Sequence, residues 1–472
     1  MKYVKSLIVF VLLGTLSVFA QNRSDMLENA LSSVVTVAVF KTADGNALLG
    51  FKDSGRSRGE GDMAYAGQLD MGDALGSGSG FVVQRNGKKY VVTNAHVVEQ
   101  ASNEQGAIYV YSINRTKYEM KLVGGDTFFD LAVLAFVNTP GSEITTIDFR
   151  KSDIRVGEEV YAIGNPLGEL PYSISDGIIS GKNRVRDGVT GRFGFLQSTA
   201  TVIWGNSGGP LIDVSGTVVG INSQIHIVQR DNQNFIQPQI NYALEAGIAN
   251  RLVNDIVTNN GFVKRSFVGI ELSAWGNAPA FRKEADNLGN RPVISNFVVG
   301  SPAEKAFKNK IGYSVIKING EDIRTIDEAL GIFETSVPGT KLEFTIRKGK
   351  TEEKVSITTE ELNPTKLEAI ATYALDSRLN GNMFNRDNKL FVKIGAGSGD
   401  YRVMAAGMIT EQVEQIWRVT SLSELGAALR ISGMYGFMDL VVSLESQNRS
   451  KVEKERIVFE ETNDNFKRFL WY

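Results

Sequence analysis

The sequence GNSGGP at residues 205–210 is the stretch that decides the fold class and the chemistry of this chain. Its serine, Ser207, lies between glycines, which leave room for backbone N–H groups to converge on one reacting carbonyl oxygen. A side chain at Gly205, Gly208 or Gly209 would obstruct either a substrate backbone or the unusual dihedral angles of such a turn. Glycines beside serine also occur in plain turns, so the assignment depends on the rest of the chain.

The small number of histidines and the position of one of them support the interpretation of Ser207 as an active-site serine. Only two histidines occur among 472 residues, and His96 lies in the run YVVTNAHVV at residues 90–98. This run predicts a buried strand that ends in a short helical turn, which would hold the imidazole at the edge of a packed β-barrel. A lone histidine in an apolar run can also be a core residue. The second histidine, His226, alternates with apolar residues and is interpreted as a structural strand residue.

An acidic residue lies between this histidine and the serine. Asp130 begins the apolar run DLAVL at residues 130–134. A carboxylate at the head of a buried strand is costly without a partner, and a histidine N–H is such a partner. Asp126 is the competing acid, but the two glycines before it predict an exposed turn.

The order His96, Asp130, Ser207 matches chymotrypsin-like proteases and differs from that of subtilisins and α/β-hydrolases. Ser207 would be the nucleophile, His96 the base and later the acid, and Asp130 the group that fixes the imidazole tautomer. The backbone N–H groups of Gly205 and Ser207, with Asn206 between them, would form the oxyanion hole, which is worth roughly 3–4 kcal/mol per donor.

Five motifs in this order resemble the HtrA/Deg family of serine proteases. They are GSGSGF at residues 76–81, TNAHVV at 93–98, DLAVL at 130–134, GNPLG at 164–168 and GNSGGPL at 205–211. The resemblance implies an ATP-independent endoprotease of the bacterial envelope that degrades misfolded proteins and is often built from trimers. Trp204, where proline or a polar residue is more usual, is a departure that bears on cleavage specificity.

Composition limits the possible functions. The chain is long enough for about three domains, and 42% hydrophobic with 22% charged residues is typical of a globular protein. A net charge of −2 gives no basic surface for nucleic acid. With no cysteine there is neither a disulfide nor a thiolate metal site, and two distant histidines form no metal-ligand cluster. We therefore predict no metal and no cofactor.

Residues 1–20 are predicted to be a signal peptide, with two lysines before an apolar run over residues 6–19. An uncleaved anchor is the alternative, but a spanning helix needs about 20 apolar residues. Export without disulfides favours a periplasmic protein with no stable membrane insertion after cleavage.

The predicted fold class is mainly β, in three domains. Residues 21–258 form a chymotrypsin-like double β-barrel with a long glycine-rich loop at 41–76. Residues 262–361 resemble a PDZ domain, with a groove helix at 326–335, and residues 362–472 resemble a degenerate second PDZ-like domain. The predicted carboxylate-binding loop contains Phe267, Val268, Gly269 and Ile270.

These patterns leave three functions open. The first is an endoprotease that acts on unfolded or misfolded polypeptides and recognises peptide C-termini through its PDZ domain. The second is a sensor protease that cleaves one membrane-protein partner only after a peptide occupies the PDZ groove. The third is a chaperone-like binding protein with low proteolysis. In each case the resemblance implies a homotrimer or a higher homo-oligomer.

Overall fold

A computed structural model describes the chain in segments and divides it into two compact units, Met1–Val263 and Lys264–Tyr472. The described residues are 23–41, 74–103, 106–126, 128–165, 172–184, 194–230, 233–274, 291–379, 381–386, 389–394, 400–409, 414–418, 421–435, 439–445, 452–458 and 470–471. The predicted signal peptide, and the predicted loop apart from its ends, lie outside these residues. Within the described residues, no helix is both long enough and apolar enough to cross a membrane.

The first unit opens with a helix over residues 23–31 (α1) and a closed six-stranded barrel, in the order β1-β2-β3-β6-β5-β4. Its elements are β1 (Val34–Lys41), β2 (Ala74–Arg85), β3 (Lys88–Thr93), α2 (Ala95–Asn103), β4 (Gly106–Tyr111), β5 (Lys117–Asp126) and β6 (Leu131–Phe136). Alternate residues of β1 face the barrel interior, where Val35, Val37 and Val39 are almost completely buried. This period of two is what the sequence pattern predicts for strands.

A second closed barrel follows, in the order β10-β11-β12-β9-β8-β7. Its elements are β7 (Glu159–Gly164), β8 (Ser173–Arg184), β9 (Phe195–Ser198), β10 (Pro210–Asp213), β11 (Val218–Arg230) and β12 (Gln233–Glu245). Two closed barrels in one unit confirm the predicted chymotrypsin-like double β-barrel. His226 lies in β11, opposite Gln237 of β12, as the alternation predicts.

Helix α3 (Ala246–Thr258) ends the first unit and packs against β5, β6 and β11. Its buried residues recur at helical spacing and form one apolar face: Ala246, Ala249, Leu252, Val253 and Ile256. After the helix, the backbone of Gly261 lies against Gly124, where an added Cβ would fall 2.2 Å from the Gly261 carbonyl oxygen. The chain end of this unit is therefore closely packed on the first barrel.

The second unit begins with two antiparallel sheets and two helices. Its elements are β13 (Ser266–Phe267), β14 (Ile270–Ala274), β15 (Pro292–Phe297), α4 (Pro302–Phe307), β16 (Ser314–Ile318), β17 (Glu321–Asp322), α5 (Ile326–Thr335), β18 (Lys341–Lys348), β19 (Thr351–Thr358) and β20 (Glu360–Glu361). Helix α5 has the bounds predicted for the groove helix and begins with a capping box between Thr325 and Glu328.

The rest of the second unit adds two helices and a further sheet in the order β21-β22-β23-β25-β26, with β24 beside β23. These elements are α6 (Pro364–Leu379), β21 (Gly381–Arg386), β22 (Lys389–Ile394), β23 (Asp400–Ile409), β24 (Glu414–Arg418), α7 (Leu422–Tyr435), β25 (Asp439–Glu445), β26 (Val452–Val458) and β27 (Leu470–Trp471). Strand β27 pairs with β14, so the larger sheet runs β19-β18-β16-β15-β14-β27. The boundary predicted near residue 362 lies inside one compact unit and stays a prediction.

Candidate active site

His96 is the second residue of α2, directly after the loop that follows β3. Its Nδ1 lies 2.8 Å from Asp130 Oδ2, and its backbone N–H donates to Asp130 Oδ1 at 3.0 Å. Because an ionised carboxylate only accepts hydrogen bonds, Nδ1 carries the proton and Nε2 keeps its lone pair. The imidazole side chain is 32% exposed, and its unprotonated Nε2 is the atom that can act as a base.

Asp130 is buried, and hydrogen bonds fix both its backbone and its carboxylate. It is 1% exposed and has a φ of 56°, a left-handed conformation that few non-glycine residues adopt. The Asn94 side-chain amide donates to the Asp130 carbonyl at 2.7 Å, and the Ser223 hydroxyl donates to Oδ2 at 2.8 Å. Backbone strain of this kind persists where surrounding contacts fix it, often at functional sites.

Asp126, the competing acid, does not lie in the exposed turn that its glycine neighbours predict. It ends β5, is 2% exposed, and its Oδ1 accepts a hydrogen bond from the Phe129 N–H at 2.9 Å. The prediction of exposure was wrong because Gly124 and Gly125 are paired with β6 rather than turning outward. Asp126 shapes the turn that presents Asp130.

The glycine-framed serine loop packs onto the junction that carries His96. Gly205 and Gly208 have φ values of 94° and 85°, which glycine adopts without strain. A Cβ on Gly208 would lie 2.2 Å from the Ser79 carbonyl oxygen and 2.9 Å from the Asn94 nitrogen. No described hydrogen bond joins Ser207 to His96, and such bonds often tighten only when substrate is bound.

Two of the three backbone amides of residues 205–207 are available to an oxyanion. The Asn206 N–H donates to the Ile203 carbonyl at 3.2 Å, so it is engaged within the loop. The N–H groups of Gly205 and Ser207 have no protein acceptor among the residues that the structure describes. The geometry therefore favours Gly205 and Ser207 as the donors and makes Asn206 the spacer between them.

Sequence reasoning missed Ser79, which holds this loop in place. Its hydroxyl donates to the Gly205 carbonyl at 2.7 Å and accepts from the Asn165 N–H at 2.9 Å. Its own N–H donates to the Ser207 carbonyl at 2.8 Å. Ser79 is fully buried, and its place inside the GSGSGF motif was the available signal.

Ser223 was also missed. The register of β11 with β12 shifts between Asn222 and Gln224, so Ser223 is the extra residue of a bulge. Bulges re-aim side chains near active sites, and this one directs the hydroxyl of Ser223 to Asp130. The signal was a pair of polar residues, Asn222 and Ser223, after the apolar run at 218–221.

Ser79→Ala is expected to lower kcat by about 10- to 100-fold with little change in KM, because a small displacement of the loop would misplace the predicted oxyanion donors. The substitution leaves the Gly205 carbonyl and the Asn165 N–H unpaired in a buried site. Steady-state kinetics on a peptide substrate tests this, with Ser77→Ala in the same strand as the control. A lower melting temperature with unchanged kcat would make Ser79 a purely structural residue.

The predicted carboxylate-binding loop lies in the second unit, between β13 and β14. The Val268 carbonyl accepts from the Ala303 N–H at 3.0 Å, and the Gly269 carbonyl accepts from the Val298 N–H at 2.8 Å. The amides of Val268 and Gly269 donate to no protein acceptor within the described part of the chain. Neighbouring free amides of this kind suit an anionic group.

A double β-barrel in which a buried aspartate pairs with a histidine beside a glycine-framed serine defines a serine peptidase of the trypsin-like class. In agreement, residues 78–221 match the trypsin-like peptidase domain family. Among curated proteins, the chain is 31% identical to the serine protease Do-like HtrB of Bacillus subtilis, over 70% of this chain and 69% of that protein. It is 30% identical to the serine protease Do-like HtrA of the same organism, over 69% of this chain and 70% of that protein.

The chain therefore belongs to the HtrA/Deg family of serine proteases, and it is a serine endoprotease. It is also 32% identical to a probable periplasmic serine endoprotease DegP-like of Chlamydia trachomatis, over 58% of this chain and 52% of that protein. The chain thus spans about half the length of this relative. A solved structure titled HtrA-type protease AlgW with tripeptide shares the fold, with a TM-score of 0.51, 21% identity, and coverage of 72% of this chain and 98% of that chain.

Proposed function

We propose that His96, Asp130 and Ser207 are the catalytic triad of this endoprotease. The observation that carries the proposal is the buried Asp130 bonded to Nδ1 of His96, with the serine loop packed on the same junction. His96 Nε2 takes the proton of the Ser207 hydroxyl as the oxygen attacks a peptide carbonyl, and then donates it to the leaving amine.

Two charges form during this reaction, and the protein stabilises each of them. The imidazolium that forms on His96 is stabilised by Asp130, whose carboxylate also accepts from Ser223. The oxyanion of the tetrahedral intermediate is stabilised by the N–H groups of Gly205 and Ser207, which need no reorganisation once they are held by Ser79.

The proposed substrates are unfolded or misfolded polypeptides in the periplasm. The serine lies on the β9–β10 loop of the second barrel, which contacts Ser79 of the first barrel, and hydrolysis requires an extended substrate backbone to reach the oxyanion amides. A curated relative is named a periplasmic endoprotease, and residues 1–20 have the pattern of a signal peptide. We retain a homotrimer or a higher homo-oligomer as part of the proposal.

The second unit is proposed to bind peptides through residues 267–270. The free amides of Val268 and Gly269 would receive the carboxylate of a peptide C-terminus, and β14 would pair with its backbone. A peptide-bound HtrA-type structure has the same fold. The assignment of 262–361 as a PDZ domain rests on this reasoning, whereas the assignment of 362–472 as a degenerate second PDZ-like domain rests on the resemblance of its sequence alone.

Cleavage of matched folded and unfolded substrates tests the substrate class. We expect reduced, alkylated ribonuclease A to be cut at least about tenfold faster than the native disulfide-bonded form, because a folded chain exposes cleavable backbone only on local opening. Gel analysis of both time courses measures the ratio, with casein as a second unfolded substrate. Equal rates would contradict the proposal, and protection of an aggregating client without cleavage would favour the chaperone-like alternative.

A further inference from the structure

The edge of β14 next to the proposed peptide-binding loop is covered by another part of the same chain. Strand β14 pairs with β15 on one side and with β27 on the other, with Glu271 opposite Trp471 and Leu272 opposite Leu470. About 200 residues of sequence separate the two partners. We propose that Leu470–Trp471 is a built-in ligand of this edge and that extended peptides with large apolar residues compete for the same place.

This inference rests on the proposed peptide-binding role of residues 267–270 and names the chemistry of the ligand. An exposed strand edge presents unpaired N–H and C=O groups that pair with any extended backbone, so side chains provide the selectivity. Here the two residues that pair with the edge are leucine and tryptophan. A competing peptide should therefore carry adjacent large apolar and aromatic side chains.

Helices α6 and α7, which precede β27 in the chain, make side-chain contacts with β14 and α5. The Tyr373 hydroxyl of α6 donates to Glu271 Oε2 at 2.5 Å, and Glu271 is the residue opposite Trp471. Arg430 of α7 pairs with Glu334 of α5, which also pairs with Arg265 at 2.8 Å. Helix α7 itself contacts β27. These buried contacts keep the segment that ends in β27 close to the edge of β14.

The paired segment is short, which makes it exchangeable. Only two residues of β27 pair with β14. A tethered segment competes at an effective concentration of about millimolar, so it can hold the edge without high intrinsic affinity. A free peptide of matching chemistry then binds only when the segment leaves, and the apparent affinity of that peptide falls accordingly.

A cysteine pair tests the position of the segment, because the natural chain contains no cysteine. Residues directly opposite in an antiparallel pair have Cα atoms about 4.5–5.5 Å apart, a spacing that a disulfide can bridge. The full-length double variant Leu272→Cys with Leu470→Cys is expected to form an intramolecular disulfide on mild oxidation. Glu343→Cys with Leu470→Cys, whose first cysteine lies on β18, is the matched control and should not form one.

Peptide binding tests the competition. The probe is a fluorescein-labelled peptide with the sequence of residues 463–472, and binding is followed by anisotropy. We expect the oxidised Leu272→Cys/Leu470→Cys protein to bind it at least about tenfold more weakly than the same protein after reduction. We expect Leu470→Asp/Trp471→Asp to bind it about tenfold more tightly than wild type, and a probe with aspartate at both positions to bind neither.

Each contrary result overturns the inference. A disulfide in the β18 control, or none in the β14 pair, would place the segment elsewhere, and a disulfide between two copies would make the ligand a neighbouring chain. Equal peptide affinities in wild type and Leu470→Asp/Trp471→Asp would show that nothing competes. Because these measurements require no proteolysis, their failure is distinct from failure of the proposed triad, which is read from hydrolysis.

Discussion

Replacing Ser207 with alanine is expected to lower the rate of peptide hydrolysis by about 10⁴- to 10⁶-fold, since loss of a nucleophile removes the whole acylation route. Ser207 is the hydroxyl presented by a loop whose backbone is fixed by Ser79 and by the Asn222 carbonyl, which accepts from the Gly208 N–H at 2.8 Å. Alanine keeps the backbone conformation, so the fold should be preserved.

Casein cleavage measured beside circular dichroism tests this result. The matched control is Ser215→Ala, which removes an exposed serine whose hydroxyl donates to Asp213 at 2.6 Å in a turn after β10. We expect this control to keep wild-type activity. If the Ser207 variant cut casein at the wild-type rate, another group would have to be the nucleophile.

Asp130→Asn is expected to lower kcat by about 10⁴-fold with the fold retained. An asparagine at this position offers one acceptor oxygen and one amide donor, where the carboxylate accepts from both His96 and Ser223. The amide would favour the imidazole tautomer with Nδ1 unprotonated, and it could not stabilise the imidazolium. Both effects remove the basicity of Nε2 that the reaction requires.

Asp126→Asn is the matched control for this prediction. Asp126 is as deeply buried as Asp130, but its Oδ1 accepts from the Phe129 N–H, a bond that an asparagine oxygen can also accept. We therefore expect activity within about threefold of wild type. The reverse pattern, with Asp126→Asn inactive and Asp130→Asn active, would make Asp126 the acid of the triad.

Local sequence patterns predicted most of the first unit. The run at 90–98 predicted both β3 and the helical turn that carries His96. Helical spacing of apolar residues extends back to Leu244, but helix α3 begins at Ala246, because Leu244 and Glu245 still pair in β12. Ladder hydrogen bonds with a neighbouring strand therefore set this boundary, which helical spacing alone could not show.

The burial of Asp126 could not be predicted from its neighbours. Two glycines before an aspartate favour a turn, yet Gly124 and Gly125 continue the pairing of β5 with β6 across a bulge. Strand pairing thus overrode a local turn preference, as tertiary context often does. In the loop at Ser207, local preference and tertiary structure agree, because the fold requires backbone conformations there that glycine adopts easily.

The sequence by itself determined the order of His96, Asp130 and Ser207, the glycine frame of the nucleophile and the strand periodicity of the barrels. These features are local, and each is encoded within a few residues. Only the tertiary structure shows which residues hold the site in place. Ser79 is hydrogen-bonded to Gly205, which lies 126 residues away in sequence, and Ser223 is hydrogen-bonded to Asp130, which lies 93 residues away. The tertiary structure also decided that β27 lies on the edge of β14. Such contacts depend on barrel closure and strand register, which no short window of sequence contains.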